Sequence, residues 1–534
     1  MVIIELDAII REIPRAVNSR FSPNKGCLVG TRVAFLDFII DWVNDSNHNL
    51  ERGLVLFGQA GTGKSSIAHE IARLFDKMHR LTSSFIFSRS EQSERKPYHL
   101  FTTLAHHLAN RYPSFKTALG NVIKDNADLR GGTRDYGTLF ESLILEPLKD
   151  LHIVGPILVV IDALDESGDS TGKTGLHTFL AKNLERLPSN FRVVITSRPE
   201  KAIETALSRA PLEIKYMDDT ELATDTDKDI LTFLRGKLPT DEFGGYVEKL
   251  AKKAEGLFQW AAVASQLILD PPAGFDYSEK KCIKHLLESS TTRRGQDPLD
   301  ELYQEVLGGY LKGQEARDFF RSVVGQLITS SEPLTISSLI TLRQHTSFDE
   351  DSDAIVTGTL HRLGSLLSNV NSSDKNLPII PLHTSFRDFL TNKDKSGDFY
   401  VGLRDSHDQL THSCLNLLLD PVDGLKFNIC KLETSYLAND DVEDLDTRVV
   451  QHISPPLLYA CRFWDDHLKH TDYKADLFGN VETLFKEKFL YWLEVLSLTR
   501  NIGLAPSAFA TVNTWLESAP GVSTTSGPMG NENN

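Results

Sequence analysis

The chain has 534 residues, of which 40% are hydrophobic and 24% are charged. These proportions are close to the averages for globular proteins, so they exclude a globally disordered chain, and the length predicts roughly three or four packed domains. The formal net charge is −16, and no run of lysine and arginine is long enough to neutralise several phosphates of a duplex. Nucleic acid is therefore disfavoured as a partner.

The cysteines and the first residues indicate the compartment. Five cysteines are spread along the chain without a C-x-x-C pair, so we expect free thiols in a reducing environment. The apolar start MVIIELDAIIREI is interrupted by Glu5, Asp7 and Arg11, which a signal peptide would not tolerate. The longest apolar run, residues 153–161, is too short to span a bilayer. We expect a cytoplasmic protein without a membrane span, with a helical segment over residues 1–24.

The first half of the chain alternates strand-like and helix-like patterns. A helical spacing of apolar residues over 31–43 precedes the first of five short apolar runs, and helical periodicity separates the runs from one another. Strands that alternate with helices are typical of a mostly parallel sheet covered on both faces. We therefore predict an α/β domain with a parallel sheet over 25–220. Its five strand-like runs are GLVLF (53–57), SSFIFS (83–88), PILVVID (156–162), RVVITS (192–197) and LEIKYM (212–217).

A phosphate-binding motif directly follows the first strand-like run. Gly58 to Ser65 matches G-x-x-x-x-G-K-[ST] and stands between GLVLF and the helical pattern SIAHEIARLF, as its mechanism requires. Its glycines allow backbone N–H groups to surround phosphates, Lys64 reaches the β- and γ-phosphates, and Ser65 is a Mg²⁺ ligand. The alternative is a glycine-rich turn with an exposed lysine. The residues assigned to the nucleotide are Gly58, Gln59, Ala60, Gly61, Thr62, Gly63, Lys64, Ser65 and Ser66.

The run Ile157–Ile161 ends at Asp162 and has the Walker B form. A carboxylate at the end of a buried strand is suited to the Mg²⁺ shell, so we assign Asp162 to the metal together with Ser65. Asp165 or Glu166 would then orient or deprotonate the attacking water. The alternative is that these two acidic residues only cap the next helix.

The strand-like run RVVITS ends at Arg198, followed by Pro199. Ligands of open α/β sheets bind at the carboxyl edge of the strands, so Arg198 is a candidate sensor of the γ-phosphate. The alternative is an arginine paired with a surface carboxylate. The long separation between the Walker A and Walker B segments suggests a strand inserted between them in the sheet, the ASCE-type order.

After about residue 225 the strand-like runs become scarce and helical patterns dominate. We predict a helical domain over 221–310, and a small α+β unit over 311–396 compatible with a winged helix and containing the strand-like NLPIIPLH. A C-terminal helical domain over 397–516 and a disordered tail over 517–534 follow, because the tail is rich in Ser, Gly, Pro and Asn. A winged helix raises DNA binding as an alternative, but the acidic net charge opposes it.

Several phrases together resemble a known family. They are CLVGTR (27–32), GQAGTGKSSIA, FIFSRSE, TTLAHHLA, VVIDALDE, ITSRPE, GLFQWAA, LHTSFRDFL (382–390) and the later YACRFWDDHL. With these phrases the chain resembles the NACHT-type STAND NTPases, and most of all fungal proteins whose nucleotide domain is similar to the amino-terminal domain of nephrocystin-3.

The resemblance implies a module of nucleotide, helical and winged-helix domains that folds over ADP at rest and opens when ATP replaces it. It implies that Leu28, Thr31 and Arg32 line an adenine pocket and that His383 faces the ADP phosphates. From the residues alone, a lone histidine beside LPIIPL is more typical of a core or surface position. About 20 residues precede the module, so we expect no amino-terminal effector domain in this chain. The sequence shows no repeats after the module, so we expect no sensor repeats in it either.

The sequence therefore predicts an ATP/ADP-binding switch with slow hydrolysis that uses Mg²⁺ and controls self-association. Its partners would be the nucleotide, other copies of the chain, and an upstream ligand and an effector protein that the sequence does not identify. Two alternatives stay open: a metabolic, kinase-like P-loop enzyme and an ADP-locked scaffold that never hydrolyses ATP. An N/TKxD-type guanine motif is absent from the sequence, which favours adenine.

Overall fold

The computed structural model describes most of the chain. The described residues are 2–16, 18–47, 51–91, 95–126, 129, 133–168, 175–219, 221–223, 225–269, 279–288, 297–346, 352–370, 372 and 374–519. They divide into two compact units, the first comprising residues 2–269, 279–305 and 383–385, and the second residues 306–382 and 386–519.

The first unit is built around a parallel sheet. Its strands are β1 (Gly53–Phe57), β2 (Leu81–Ile86), β3 (Ile157–Asp162), β4 (Phe191–Ser197) and β5 (Glu213–Tyr216). Their order is β2-β3-β4-β1-β5, and every neighbouring pair is parallel. Strand β4 therefore lies between the strand before the P-loop and the Walker B strand, which confirms the predicted insertion. All five carboxyl ends meet at one edge of the sheet, where ligands of open α/β folds bind.

Successive side chains of a strand point to opposite faces, and both faces of this sheet are covered. On one face Val55, Phe57 and Val159 join a core with residues of the fourth and fifth helices. On the other face Leu54 and Leu56 pack against the helix that follows the P-loop. Burial on both faces explains why the central strands β1, β3 and β4 are mostly apolar runs rather than alternating ones.

The helices of the first unit alternate with its strands and then continue after β5. They are α1 (Val2–Arg11), α2 (Val33–Asn44), α3 (Lys64–Lys77), α4 (His99–Arg111), α5 (Pro113–Asp125), α6 (Tyr136–Phe140), α7 (Glu146–Leu148), α8 (Leu176–Asn183), α9 (Lys201–Leu207), α10 (Thr226–Lys237), α11 (Thr240–Lys253), α12 (Phe258–Leu269), α13 (Glu279–Glu288) and α14 (Pro298–Tyr310), whose last turn belongs to the second unit. A π-helical turn, Glu141–Leu145, joins α6 to α7.

The amino-terminal segment is helical over only part of the predicted range. Helix α1 ends at Arg11, and Pro14 cannot continue a helix because it lacks a backbone N–H. The following residues run beside the edge strand β2, where Ile86 donates its N–H to the carbonyl oxygen of Ser19 at 2.8 Å. Backbone groups of an edge strand that would otherwise lack protein partners are paired in this way.

The second unit is helical. Its helices are α15 (Gln314–Thr329), α16 (Ile336–Gln344), α17 (Ser352–His361), α18 (Thr384–Leu390), of which Thr384 and Ser385 belong to the first unit, α19 (Lys393–Ser396), α20 (Leu403–Leu419), α21 (Leu445–His452), α22 (Pro455–Leu468), α23 (Ala475–Thr483), α24 (Phe489–Leu498) and α25 (Ala505–Glu517). Among the described residues, no helix is both long enough and apolar enough to cross a membrane.

Two further details differ from the sequence expectation. The strand-like NLPIIPLH forms single bridges, Thr335 with Pro378 and Leu367 with Pro381, because each proline removes a donor that a longer ladder would need. The last helix includes Glu517, which was predicted to begin the tail, and residues 520–534 lie outside the described residues.

Candidate functional site

The P-loop connects the end of β1 to the start of α3. The Gly58 N–H donates to the carbonyl oxygen of Ser197 at 3.3 Å, which ties the start of the loop to the neighbouring strand β4. Gly61 and Gly63 have φ angles of +81° and +95°, a region that L-residues with a side chain rarely adopt. A Cβ on Gly61 would also lie 2.7 Å from the Cβ of Gln259. The loop conformation therefore requires glycine at 61 for two separate reasons.

The side chain of Lys64 is buried against its own loop. Its Nζ donates to the carbonyl oxygens of Gly58 at 2.7 Å and Gln59 at 2.9 Å. Burial lowers the pKa of the Lys64 ammonium to about 8, and the charge of Asp165 is the main influence that opposes the shift. The structure thus excludes the exposed lysine of the alternative interpretation, since Lys64 is 9% exposed.

Asp162 ends β3 and is almost fully buried. Its carboxylate accepts a hydrogen bond from the hydroxyl of Thr196 on β4, and the same hydroxyl accepts the N–H of Ala163 at 3.0 Å. Ala163 has a left-handed φ of +57°, so the chain turns sharply directly after the carboxylate. Thr196 was not identified from the sequence, in which it is one more β-branched residue of a strand.

Asp165 and Glu166 lie in a short 3₁₀ turn, Leu164–Glu166. Asp165 Oδ1 accepts the backbone N–H of Arg198 at 3.0 Å, and Arg198 Nε lies 3.2 Å from Asp165 Oδ2. The next described helix, α8, has Gly175 at its N-cap, so these acidic residues do not cap it. Arg198 therefore pairs with a buried carboxylate.

Glu166 is buried beside Asp165 and accepts the backbone N–H of Arg89 at 3.2 Å. Burial raises the pKa of the Glu166 carboxyl to about 7, and the neighbouring Asp165 charge raises it further, whereas Arg89 and Arg198 oppose the shift. A carboxyl whose pKa lies near neutrality can exchange a proton with water at the working pH.

A cavity of about 680 Å³ opens beside the P-loop. Its volume lies in the range of about 300–1,000 Å³ that is typical of small-molecule sites. Its lining joins the predicted base-binding residues to the phosphate-binding loop and adds aromatic side chains that the sequence did not assign to the site. The lining includes Leu28, Thr31, Arg32, Gly61, Gly63, Lys64, Ser65, Ser66, Phe233, Phe258, Gln259 and His383.

The residues present fit a magnesium nucleotide. Left-handed glycines beside a buried lysine at a helix N-terminus are suited to phosphate groups, and apolar walls at Leu28, Phe233 and Phe258 are suited to a base. The exposed hydroxyl of Ser65 and the carboxylate of Asp162 are hard oxygen donors, the kind that Mg²⁺ prefers.

Arg32 lines the cavity, but its guanidinium is bound to protein groups. Nη2 donates to the carbonyl oxygen of Thr62 at 2.7 Å, and Nη1 donates to Thr226 Oγ1 at 2.9 Å. The backbone N–H of Arg32 donates to Asp229 Oδ2 at 2.9 Å. Sequence reasoning missed Thr226 and Asp229, since neither belongs to a recognisable motif.

His383 lies immediately before α18, and the structure brings it to the same cavity as the P-loop. Its Nδ1 accepts the backbone N–H of Ser385 at 3.1 Å, so a neutral ring carries its proton on Nε2. The adjacent Thr384 accepts a hydrogen bond from Arg198 Nη2 at 2.7 Å. Thr384 was also missed, although it belongs to the phrase LHTSFRDFL that carried the resemblance.

Residues 34–198 match the family model described as "Nephrocystin 3, N-terminal". The chain is 24% identical over 391 residues to the vegetative incompatibility protein HET-E-1 of Podospora anserina, an alignment that covers 68% of this chain and 26% of that protein. The chain thus spans about a quarter of the length of this relative.

Two solved structures match the chain at lower sequence identity. A signal transduction ATPase with numerous domains (STAND) that carries a tetratricopeptide repeat sensor, from Pyrococcus horikoshii, has a TM-score of 0.36 and 14% identity, over 94% of this chain and 68% of that chain. The ORC1 protein of Aeropyrum pernix, in complex with DNA, has a TM-score of 0.29 and 13% identity, over 64% of this chain and 86% of that chain.

The P-loop, the inserted strand and the acidic turn after β3 occupy the segment that matches the family model. Residues 34–198 therefore combine a P-loop fold with similarity to the amino-terminal domain of nephrocystin-3, in agreement with the resemblance to the NACHT-type STAND NTPases.

Proposed function

We propose that this protein is a slow ATPase whose bound nucleotide sets a conformational switch that controls self-association. The observation that carries the proposal is the position of Arg198. Its backbone N–H and Nε contact Asp165, while its Nη2 contacts Thr384, the neighbour of His383. One arginine thus joins the acidic turn after β3 to residues 383–385, so a change at the γ-phosphate position would reach both.

Bound Mg²⁺–ATP would supply the scissile phosphoanhydride bond and the charge that the site neutralises. Lys64 would exchange its bonds with the Gly58 and Gln59 carbonyls for the β- and γ-phosphates. Ser65 and Asp162 would hold the metal. Glu166 would orient the attacking water and accept its proton, a role that its raised pKa supports.

The switch would depend on contacts made in only one of its states, because only such contacts move an equilibrium. With ADP bound, His383 Nε2–H would donate to a phosphate oxygen and residues 383–385 would stay at the site. With ATP bound, the γ-phosphate would compete for Arg198 and release Thr384. The name of the matching relative, a vegetative incompatibility protein, supports a signalling role.

The test is to identify the nucleotide that copurifies with the protein. The mass of the protein is then measured by light scattering with and without Mg²⁺–ATP. We expect bound ADP, turnover well below the roughly 1–100 s⁻¹ of kinases, and larger species with ATP. Lys64→Ala is the matched control and should give no ATP-dependent change.

Two outcomes would contradict the proposal. Fast turnover that needs a small acceptor molecule would indicate a metabolic enzyme. Tightly held ADP that never exchanges, without hydrolysis, would indicate a scaffold.

A further inference from the structure

Two carbonyl groups at the tip of the P-loop are bound by residues outside the loop. The Gly61 carbonyl accepts the backbone N–H of Gln259, in the first turn of α12, at 3.1 Å. The Thr62 carbonyl accepts Arg32 Nη2 at 2.7 Å. Neither donor is part of the phosphate-binding motif.

In a trans peptide, the C=O of one residue and the N–H of the next point in opposite directions. The Gly61 carbonyl therefore fixes the direction of the Thr62 N–H, and the Thr62 carbonyl fixes that of the Gly63 N–H. A P-loop binds phosphate through such N–H groups. Donors that hold these carbonyls outward would keep the two N–H groups directed inward before a nucleotide arrives.

Arg32 is held in place by groups from two helices. Its backbone has a left-handed φ of +57°, and its N–H donates to Asp229 of α10. Nη1 donates to Thr226 at the start of α10, and the guanidinium carbon lies 4.8 Å from the centre of the Phe258 ring of α12. The side chain is 4% exposed. A planar guanidinium can make these contacts together, whereas a lysine ammonium cannot.

We propose that Arg32 is a positioning residue that orients the phosphate-binding N–H groups and couples nucleotide affinity to the docking of α10 and α12 on the P-loop. The inference rests on the proposed function, because it assigns a regulatory contact to the same nucleotide site. Such coupling is reciprocal. If docking of α10 and α12 raises nucleotide affinity by a given factor, nucleotide binding favours the docked helices by the same factor. The helical segment would then respond to site occupancy through Arg32.

The test measures ADP affinity by fluorescence titration, together with the melting temperature of each nucleotide-free variant. Thr226→Val removes the hydroxyl that holds Arg32 Nη1 and keeps the side-chain shape. We expect it to raise the ADP dissociation constant by about three- to tenfold, the effect of one hydrogen bond. Arg32→Lys keeps the charge and loses the planar fork, and we expect a larger increase. Thr232→Val is the matched control, an exposed threonine on the same helix whose hydroxyl bonds only within α10.

Amide hydrogen exchange of α10 gives a second readout that a purely structural role would not move. ADP should slow exchange over Thr226–Lys237 in the wild type and in Thr232→Val, and much less in Arg32→Lys. Wild-type affinity in Arg32→Lys, or a lowered melting temperature with unchanged affinity in Thr226→Val, would overturn the inference. A wild type that binds no nucleotide would instead overturn the proposed function, so the two failures are distinguishable.

Discussion

Arg198 and Asp165 are joined by two contacts: the backbone N–H of Arg198 lies 3.0 Å from Asp165 Oδ1, and its Nε lies 3.2 Å from Oδ2. Each carboxylate oxygen of Asp165 thus contacts Arg198, and Oδ1 also lies 3.5 Å from the Ser197 hydroxyl. Its neighbour Glu166 has instead a pKa raised to about 7 by burial. We infer that Asp165 positions Arg198 and that Glu166 is the better candidate for the group that accepts a proton.

Exchanging each acid for its amide should separate these roles. We expect Glu166→Gln to keep ATP binding and lose hydrolysis, because the proposed Mg²⁺ ligand Asp162 is untouched. Asp165→Asn should lower the melting temperature, since it removes the buried charge that pairs with Arg198, a change that costs about 1–3 kcal/mol. Calorimetric titration, turnover and thermal unfolding of both variants would check this. Persistent turnover in Glu166→Gln would return the proton-accepting role to Asp165.

The rate of hydrolysis should rise with pH through about 7. Glu166 accepts a proton only when ionised, and its pKa of about 7 means that the fraction ionised grows across neutral pH. Single-turnover rates between about pH 5.5 and 8.5, at saturating Mg²⁺–ATP, would measure this. A rate independent of pH over that interval would argue against Glu166 as the base.

Nucleotide affinity should fall as the pH rises above about 8. The free protein loses the Lys64 proton near that pH, whereas phosphate favours the charged form, so binding takes up a proton. Above the free pKa, each pH unit should weaken binding by up to about tenfold. Lys64→Ala should bind ATP about tenfold to a hundredfold more weakly at pH 7 and lose this pH dependence. Unchanged affinity in Lys64→Ala would contradict the site assignment.

His383→Ala should lower the affinity for ADP more than the affinity for ATP. In the proposed function, the ring contacts phosphate only in the ADP state, and a charge-assisted hydrogen bond contributes roughly 1.5–3 kcal/mol. The measurement is the ratio of the ADP and ATP dissociation constants at a temperature where both proteins are folded. Ser385→Ala, which frees the ring from its 2.7 Å contact with the Ser385 hydroxyl, should shift the ratio less and in the same direction. An unchanged ratio with a reduced melting temperature would make His383 a structural residue.

The second unit should lose stability in acid. His467 Nε2 lies 2.8 Å from the Tyr459 hydroxyl, and its Nδ1 lies 3.0 Å from His407 Nδ1. Burial lowers the pKa of His407 to about 3, with His470 and Arg387 adding to the shift, and lowers that of His467 well below its usual value. The folded state thus favours neutral rings that the unfolded state protonates below about 6.5.

Their contribution to stability is therefore complete above about pH 6.5 and is lost as the pH falls from there toward about 3. Thermal unfolding of wild type and His407→Leu across about pH 4.5–7.5 would measure it. The variant should show a shallower loss of melting temperature in acid. Equal slopes for the two proteins would exclude the histidine pair as the cause.

The sequence predicted the α/β fold of the first unit because its signals are local. A P-loop needs a strand, a glycine turn and a helix in immediate succession, and all three lie within Gly53–Lys77. The central strands β1, β3 and β4 can be predicted from the sequence because strands covered on both faces are mostly apolar. The resemblance placed His383 near the site, where the residues alone favoured an ordinary core or surface histidine.

By itself the sequence determined the α/β class and predicted the phosphate-binding loop and the Walker B carboxylate, each specified by neighbours along the chain. Only the tertiary structure decided that Arg198 contacts both Asp165 and Thr384. It also decided that Arg32 binds the Thr62 carbonyl and is itself bound by Thr226 and Asp229. These partners are separated by tens to hundreds of residues and lie in different elements. No local pattern specifies such pairs, because their contacts depend on how the elements pack and not on which residues are adjacent in the sequence.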